Sequence, residues 1–484
     1  MTTVLPPLNR LNANILASYP ERVVQFGGGN FLRAFADWII QGLNEQAAFA
    51  SSVVIIKPTT DGSYDQFNLQ EGLFHVQLHG LQDGKLVKER TLISCVTRAL
   101  NPYEDYSSFL ALACQPEIRF IISNTTETGL SFVAEDRFSD TPPSSFPAKL
   151  TAFLYHRFQH FQADPSKGCI VLPCELIEQN GRQLQQLVLK YADLWQLESG
   201  FKQWVEGSNQ FCNTLVDRIV VGFSKTNSQT NLEDIGFNDT LLVEGELYHS
   251  WVIEATQSLR NEFPVHKTNL NVKIVDDVEP YRQTKVRILN GAHTSMTPLG
   301  YLLGLRTVRE AIEHPSLGAF IKSEIYDEII PALGDPGNEL ADFAQDTLNR
   351  FHNPFIQHQL LNIALYSVLK FRTRLIPSLV SYESRFHTLP KHIVFAFAAL
   401  IRFYKGEWDG HTIPLNDEPQ IIAWFREQWQ STSELRTLVE KVLANETLWQ
   451  QDLTRLDGLV DQISLYLSEM EPAKFQPALD RFID

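Results

Sequence analysis

Hydrophobic residues fall along this chain in two textures. Up to about residue 230, short β-branched apolar runs stand apart: RVVQF (22–26), VVII (53–56), IRFIIS (118–123) and GCIVL (168–172), each bounded by glycine, proline or polar residues. Long mixed segments separate them, several with helical periodicity, and buried parallel strands alternating with helices produce this pattern. Residues 64–95 predict an added antiparallel pair, FHVQLHG and LQDGKLVKER, turning at Asp83-Gly84. From about residue 240 the texture changes. ELYHSWVIEATQSLR, SLGAFIKSEIYDEIIPAL, ELADFAQDTLNRF and QHQLLNIALYSVLKFRTRLI place apolar residues at i, i+3, i+4 and i+7, predicting amphipathic helices that continue to the C-terminus. The expected architecture is an α/β domain over residues 1–235 and a mostly α-helical domain over residues 236–484. The polar stretch SKTNSQTNLEDIGFND (224–239) is the boundary candidate.

Composition narrows the class. With 484 residues and 44% hydrophobic content the chain buries a large core, and two or three domains are the prior for that length. No apolar run reaches the length of a membrane span, and the N-terminus lacks a basic segment followed by an apolar one. The five cysteines (Cys95, Cys114, Cys169, Cys174, Cys212) are scattered, odd in number and form no C-x-x-C pair, as expected of reduced thiols in a cytoplasmic protein. A net charge of −16 argues against a general nucleic-acid binder. An anionic small substrate would have to be drawn in by a local cluster of Lys and Arg, not by the overall field.

After the first apolar strand comes FGGGNFLRAFADWIIQGL (26–43), with Gly27, Gly28 and Gly29 at a strand-to-helix switch. Glycines there let the backbone approach a pyrophosphate, while the helix N-terminus supplies unpaired N–H groups and partial positive charge. Leu32 stands where the third glycine of a G-x-G-x-x-G fingerprint would be. The acidic residue expected some twenty positions on is displaced: Lys57 follows the second strand and Asp61 lies beyond, which leaves the choice between NAD and NADP open. SNTTETG (123–129), after the third of those strands, is rich in hydroxyl and amide groups and suits either the nicotinamide side of a crevice or an ordinary turn.

Residues 285–293, KVRILNGAH, carry two readings. Asn290-Gly291 is a strong hairpin signal. If the stretch is helical instead, Lys285, Asn290 and His293 fall within an arc of roughly 140° and face one cleft. Reducing a ketone by hydride needs a proton donor at the oxygen and hydrogen-bond donors where negative charge develops. A lysine serves as that acid where burial or nearby positive charge lowers its pKa.

Taken together, FGGGNFLRAF, SNTTETG, LPCELIEQNG, NTLVDRI, KVRILNGAH and RFHNPF resemble the mannitol dehydrogenase family of polyol-specific long-chain dehydrogenases, in order and spacing from about residue 20 to 470. The resemblance implies a Rossmann-type domain binding NAD, a largely helical second domain, no catalytic metal, and hydride transfer between the nicotinamide and a secondary alcohol carbon. Phe26, Gly27, Gly28, Gly29, Asn30 and Phe31, with Asn124 and Thr125, then form the cofactor site. Lys285 matches the family's acid/base, and Asn290 and His293 its carbonyl-polarising and positioning residues, which favours the helical reading of KVRILNGAH.

Two departures bear on substrate. Relatives acting on mannitol or fructuronate usually read S-C-D-N, its asparagine a second oxyanion donor, where this chain reads Pro173-Cys174-Glu175-Leu176. Glu175 is the candidate for substrate hydroxyls, although a carboxylate donates a hydrogen bond only when protonated. The polyol enzymes also carry an arginine where this chain has Asn362, but the lysine that follows it is matched by Lys370. A sugar acid needs a cation for its carboxylate, and Lys370 or Arg374 is the natural one. The expected partner is therefore a small sugar acid, with neither nucleic acid nor membrane, acting on a monomer or small homo-oligomer. His75 and His79 have zinc-like spacing only on a helix, whereas FHVQLHG alternates like a strand, so no metal site is expected.

Overall fold

The computed structural model describes residues 5–15, 17–82, 84–125, 129–222, 228–334 and 338–483. The chain divides into two compact units: Met1–His79 with Leu86–Glu279, and Pro280–Asp484 with Gly80–Lys85.

The first unit is built on six parallel strands: β1 (Glu21–Phe26), β2 (Ser52–Ile56), β5 (Val96–Leu100), β6 (Phe120–Ser123), β7 (Ile170–Pro173) and β8 (Gln210–Phe211), in the order β5-β2-β1-β6-β7-β8. Counting only these strands, the order is 3-2-1-4-5-6, the Rossmann arrangement, and it reverses between β1 and β6. Successive residues serve opposite faces. Val23, Val53, Ile55 and Ile122 pack into one apolar cluster, while Val24, Val54, Ile56 and Ile121 pack into another. A sheet covered on both faces tolerates no polar alternation, which is why these strands read as continuous apolar runs. Strand β5 is the edge exception. Its sequence VTRAL exposes Arg98 enough to pair with Glu21 at 2.8 Å, and that polar pattern hid it from the sequence reading.

Inserted between β2 and β5 are β3 (Phe74–Gln82) and β4 (Lys85–Ile93), neighbours in a second sheet, as the alternation of FHVQLHG predicts. Gly84 has φ 71°, the left-handed conformation that a turn here requires, and Asp83 lies outside the described residues. His75 donates its backbone N–H to Asp239 at 2.7 Å and brings Nδ1 within 2.9 Å of the same carboxylate.

The division between units falls at Glu279/Pro280, not at 235/236. The reason is strand pairing beyond the polar stretch. Strand β10 (Val243–Glu246) pairs with β3, and β11 (Ser250–Glu254) lies between β9 (Asn213–Asp217) and β12 (Val272–Val275). ELYHSWVIEATQSLR is therefore not an amphipathic helix. Its centre, SWVIE, is strand β11 with Trp251 fully buried, and β-branched and aromatic residues between two partner strands override a pattern that also fits 3.6 residues per turn.

The second unit is helical around one large core. Its Glu339–Phe351 helix is as expected. The long helix anticipated over QHQLLNIALYSVLKFRTRLI is interrupted: Leu360–Ile363 is one turn, Tyr366 takes φ 54°, and Ser367–Arg374 and Ile376–Phe386 follow as separate helices. Pro377 sits in the first turn of the last helix, where a missing N–H is harmless. No helix among the described residues is long and apolar enough to cross a membrane.

Candidate active site

In the first unit, β1 and β6 end at the switch point, where open α/β sheets bind ligands. Gly27 follows β1 with φ 115°, a conformation a side chain rarely adopts. The Gly28 N–H donates to the Tyr64 hydroxyl at 2.8 Å, and its carbonyl accepts from Arg33 Nε at 3.1 Å. A Cβ on Gly28 would fall 2.8 Å from the Phe67 ring, whereas one on Gly29 would meet no protein atom within 4 Å. Packing thus explains Gly28 but not Gly29. Bare backbone at Gly29, exposed at the start of the Asn30–Leu32 turn, fits the approach of a pyrophosphate to a helix N-terminus. Asn30 Oδ1 accepts from Arg33 Nη2 at 2.6 Å, and the Phe31 ring stacks on Phe35 at 4.9 Å. Arg33 lies over the Phe74 ring as well, so one buried guanidinium braces the turn from behind.

Across the switch point, Asn124 Nδ2 donates to the Cys174 carbonyl at 2.7 Å. The Thr125 N–H and hydroxyl both donate to Glu175 Oε1 at 3.0 Å, and Ser123 Oγ donates to Oε2 at 3.1 Å. Glu175 is 2% exposed and burial raises its pKa above the usual carboxylate range. Both oxygens accept from the end of β6, and we propose that Glu175 braces Ser123 and Thr125, in place of the sequence expectation that it binds substrate hydroxyls. Its neighbour Leu176 is 65% exposed. Lys57 Nζ donates to the Thr60 carbonyl at 3.0 Å, within its own turn.

In the second unit, KVRILNGAH is helical throughout. Glu279–Thr284 is α-helical, Lys285–Asn290 forms a π-helical segment, and Gly291–Leu302 resumes the α-helix with Gly291 at φ −61°. The Asn-Gly pair is thus not a hairpin tip. A π segment closes its hydrogen bonds over five residues instead of four, so each residue turns through less than the ~100° of an α-helix. Lys285 and Asn290, five apart, therefore stand closer to one line than ideal α-geometry allows, and all three of Lys285, Asn290 and His293 are half-buried. The opposite face, Ile288 and Leu289, is in the core. Leu375 lies 3.3 Å from where a Gly291 Cβ would be, which explains the small residue.

The surroundings of this face are basic. Arg374 Nη1 donates to the Asn290 carbonyl at 3.3 Å and to Thr294 Oγ1 at 3.1 Å, tying the Ser367–Arg374 helix to the end of the π segment. The His293 ring lies 4.5 Å from Phe351 and 5.3 Å from His358. Lys370 Nζ donates to the Ile363 carbonyl at 2.8 Å. Burial, with the nearby Arg374 charge, lowers the Lys370 pKa to about 8, and burial lowers that of Arg374 to about 10. His358 is lowered by burial and by Lys370. Cations crowded into partly desolvated positions are a setting that an anionic ligand would relieve.

These features coincide with clear relatives. The model of the mannitol dehydrogenase Rossmann domain matches residues 21–267, and that of the mannitol dehydrogenase C-terminal domain matches residues 277–471. This chain belongs to the mannitol dehydrogenase family. Within that family of oxidoreductases, it is 44% identical to the altronate oxidoreductase of Bacillus subtilis over 479 residues, covering 98% of each chain. To that of Escherichia coli it is 45% identical over 453 residues, covering 93% of this chain and 94% of the other. Its fold is similar to that of a D-sorbitol dehydrogenase (TM-score 0.79, 21% identity, 98% of this chain and 100% of the other). It is also similar to that of Pseudomonas fluorescens mannitol 2-dehydrogenase, solved with NAD and D-mannitol (TM-score 0.68, 21% identity, 98% and 99%).

Within each unit the candidate residues gather: the glycine turn beside Asn124 and Thr125 in one, Lys285, Asn290 and His293 beside Lys370 and Arg374 in the other. Sequence reasoning missed the bracing shell: Arg33, Tyr64, Ser123 and His358. Arg33 lay inside the quoted glycine motif and His358 just beyond RFHNPF, whereas nothing local marks Tyr64 as a partner of Gly28. The Glu175 brace gives a first prediction. Glu175→Ala leaves Ser123 and Thr125 without their acceptor, so the KM for the dinucleotide is expected to rise several-fold while kcat at saturation changes little. Initial rates at varied cofactor check it, and an unchanged cofactor KM would contradict the bracing role.

Proposed function

We propose that this chain is an NAD-dependent altronate oxidoreductase, a tagaturonate reductase that interconverts D-tagaturonate and D-altronate in hexuronate breakdown in the cytoplasm. The observation that carries the reading is the set Lys285, Asn290 and His293 on one helix with a π segment, clamped by Arg374, whose own helix also carries Lys370. The names of relatives 44–45% identical along nearly the whole chain support the substrate. The exposed backbone at Gly29 and the Rossmann strand order support a dinucleotide. Bound there, a nicotinamide supplies or accepts the hydride.

The chain's own residues do the rest. Lys285 in its ammonium form donates a proton to the carbonyl oxygen as the alcohol forms, and in its amine form removes that proton in the reverse direction. The Asn290 amide donates to the same oxygen as charge builds on it. His293, held against Phe351 and His358, orients the lysine or a substrate hydroxyl. Lys370 or Arg374 meets the carboxylate that distinguishes a uronate from a polyol. Leu176, exposed and unable to donate, stands where the polyol enzymes carry a second donor.

An initial-rate panel of tagaturonate, fructuronate, fructose, altronate and mannitol with NADH or NAD tests the assignment. Tagaturonate and altronate are expected to give the highest kcat/KM. A preference for fructuronate or a hexitol would replace it with a sister specificity, and dinucleotide binding without turnover would make the chain a silent binder on this fold.

A pH dependence follows from Lys370. Its charged form is complete well below its pKa of about 8 and disappears as pH rises through that value, where an ordinary lysine would stay charged. The KM for the sugar acid is therefore expected to climb between about pH 7.5 and 9. Lys370→Arg keeps the charge and should flatten that climb. A KM independent of pH over that window in the parent enzyme would remove Lys370 from carboxylate binding.

A further inference from the structure

The Ser367–Arg374 helix has a second side that the proposed reaction does not use. Lys370 and Arg374 belong to the candidate site, but Val368, Leu369 and Arg372 line a separate cavity of about 550 Å³ within the second unit. Ligand pockets run from roughly 300 to 1,000 Å³, so this one admits a small sugar. Its other walls include Tyr366, Asp417, Glu418, Gln420, Trp424 and Asn445. We propose that this cavity is a second ligand site, taking a neutral saccharide or polyol.

Four observations support that chemistry. Tyr366 and Trp424 give aromatic surface beside Leu369, itself 43% exposed, and aromatic faces pack on the C–H faces of sugar rings while their polar edges stay wet. Tyr366 is held at φ 54° with 44% of its surface exposed, a strained backbone that a non-glycine residue keeps where the surrounding structure demands it. Arg372 donates Nη1 to the Leu448 carbonyl at 3.2 Å, while its buried Nε has no hydrogen-bond partner among the described residues. That Nε is closed to the cavity, so an acceptor arriving there meets the Arg372 guanidinium at another of its N–H groups. Gln420 Nε2 donates to Glu418 Oε2 at 2.6 Å and Asn445 Oδ1 accepts from the Thr447 and Leu448 N–H groups, so what these amides offer a ligand hydroxyl is an acceptor, Gln420 Oε1, and a donor, Asn445 Nδ2.

Charge selects against an acid. Asp417 accepts from the Val368 N–H and from the Tyr404 hydroxyl, and Glu418 stands next to it, so the cavity lining carries two carboxylates and the single guanidinium of Arg372. An anionic sugar meets net repulsion here, in contrast to the basic surroundings of Asn290. The two sites thus discriminate by charge: sugar acid at one, neutral sugar at the other.

Isothermal titration of the full-length protein with D-glucose, maltose and D-gluconate tests the proposal. Glucose or maltose is expected to bind with a one-site isotherm and a Kd of about 1 mM, ordinary for a small polar ligand. Arg372→Met and Trp424→Ala should weaken that binding about tenfold or more, equivalent to about 1.4 kcal/mol. Arg374→Met, altered only in the candidate active site, should leave it unchanged. Trp424→Phe, which keeps the apolar wall, serves where Trp424→Ala fails to fold, and should weaken binding less than Arg372→Met. The proposal is overturned if neither neutral sugar binds saturably, if Arg374→Met abolishes binding while Arg372→Met does not, or if gluconate alone binds in an Arg372-dependent way.

Discussion

Lys285→Met is expected to lower kcat by roughly a hundred- to ten-thousand-fold, the range a positioned acid/base contributes, and to leave the dissociation constant for NADH within about two-fold of the parent. The split is the informative part. Lys285 begins the π segment of the second unit, while the glycine turn and its braces Tyr64 and Arg33 belong wholly to the first. Removing the ammonium should therefore take away the proposed proton donor without touching the turn proposed to hold the pyrophosphate. Methionine keeps the unbranched, helix-compatible stem, so the helix itself should survive, as an unchanged thermal transition would show. Added primary amines such as ethylamine should restore part of the lost turnover, with a rate that follows the amine's own pKa. Near-parent turnover in Lys285→Met would sink the acid/base assignment. Loss of NADH binding, read by nicotinamide fluorescence, would instead show that the variant had lost its fold.

How much of this was legible in the sequence depended on whether the determining contacts were local. The buried strands were visible because a parallel sheet covered on both faces forces continuous apolar runs, and RVVQF, VVII and GCIVL have no other use. Strand β5 was not, because an edge strand that pairs Arg98 with Glu21 reads like a polar loop. SWVIE was misread as helix because its apolar spacing satisfies both periods, and only its distant partners β9 and β12 decide between them. The domain boundary moved with it. At the site, the residue types and spacing of Lys285, Asn290 and His293 were on the surface of the sequence, but the π segment that draws the first two toward one line was not. Nothing in KVRILNGAH distinguishes five-residue from four-residue hydrogen bonding; the packing of Leu375 against Gly291 and the clamp from Arg374 are long-range. Glu175 shows the same limit from the other side. A carboxylate next to a candidate oxyanion position looked like a ligand for hydroxyls, and only the folded ends of β6 and β7 reveal that Ser123 and Thr125 already occupy it.

Asn290→Asp is expected to lower kcat by roughly a hundred- to a thousand-fold, the loss seen when one oxyanion donor is removed. The substitution nearly preserves shape and exchanges an N–H₂ donor for a carboxylate that, when ionised, only accepts. Shape matters here because Asn290 closes the π segment and its carbonyl takes two hydrogen bonds, from Arg374 at 3.3 Å and from Thr294 at 2.8 Å. Both bonds are to the backbone, so the aspartate should keep them, and the helix end should hold its place. The effect on turnover then isolates the side-chain donor from the scaffold. The aspartate should recover activity at low pH, where the protonated carboxyl donates again, in a profile that Asn290→Ala lacks. If Asn290→Asp instead retains parent turnover at neutral pH, Asn290 has no part in stabilising the oxygen, and its value to the enzyme is the carbonyl that Arg374 clamps.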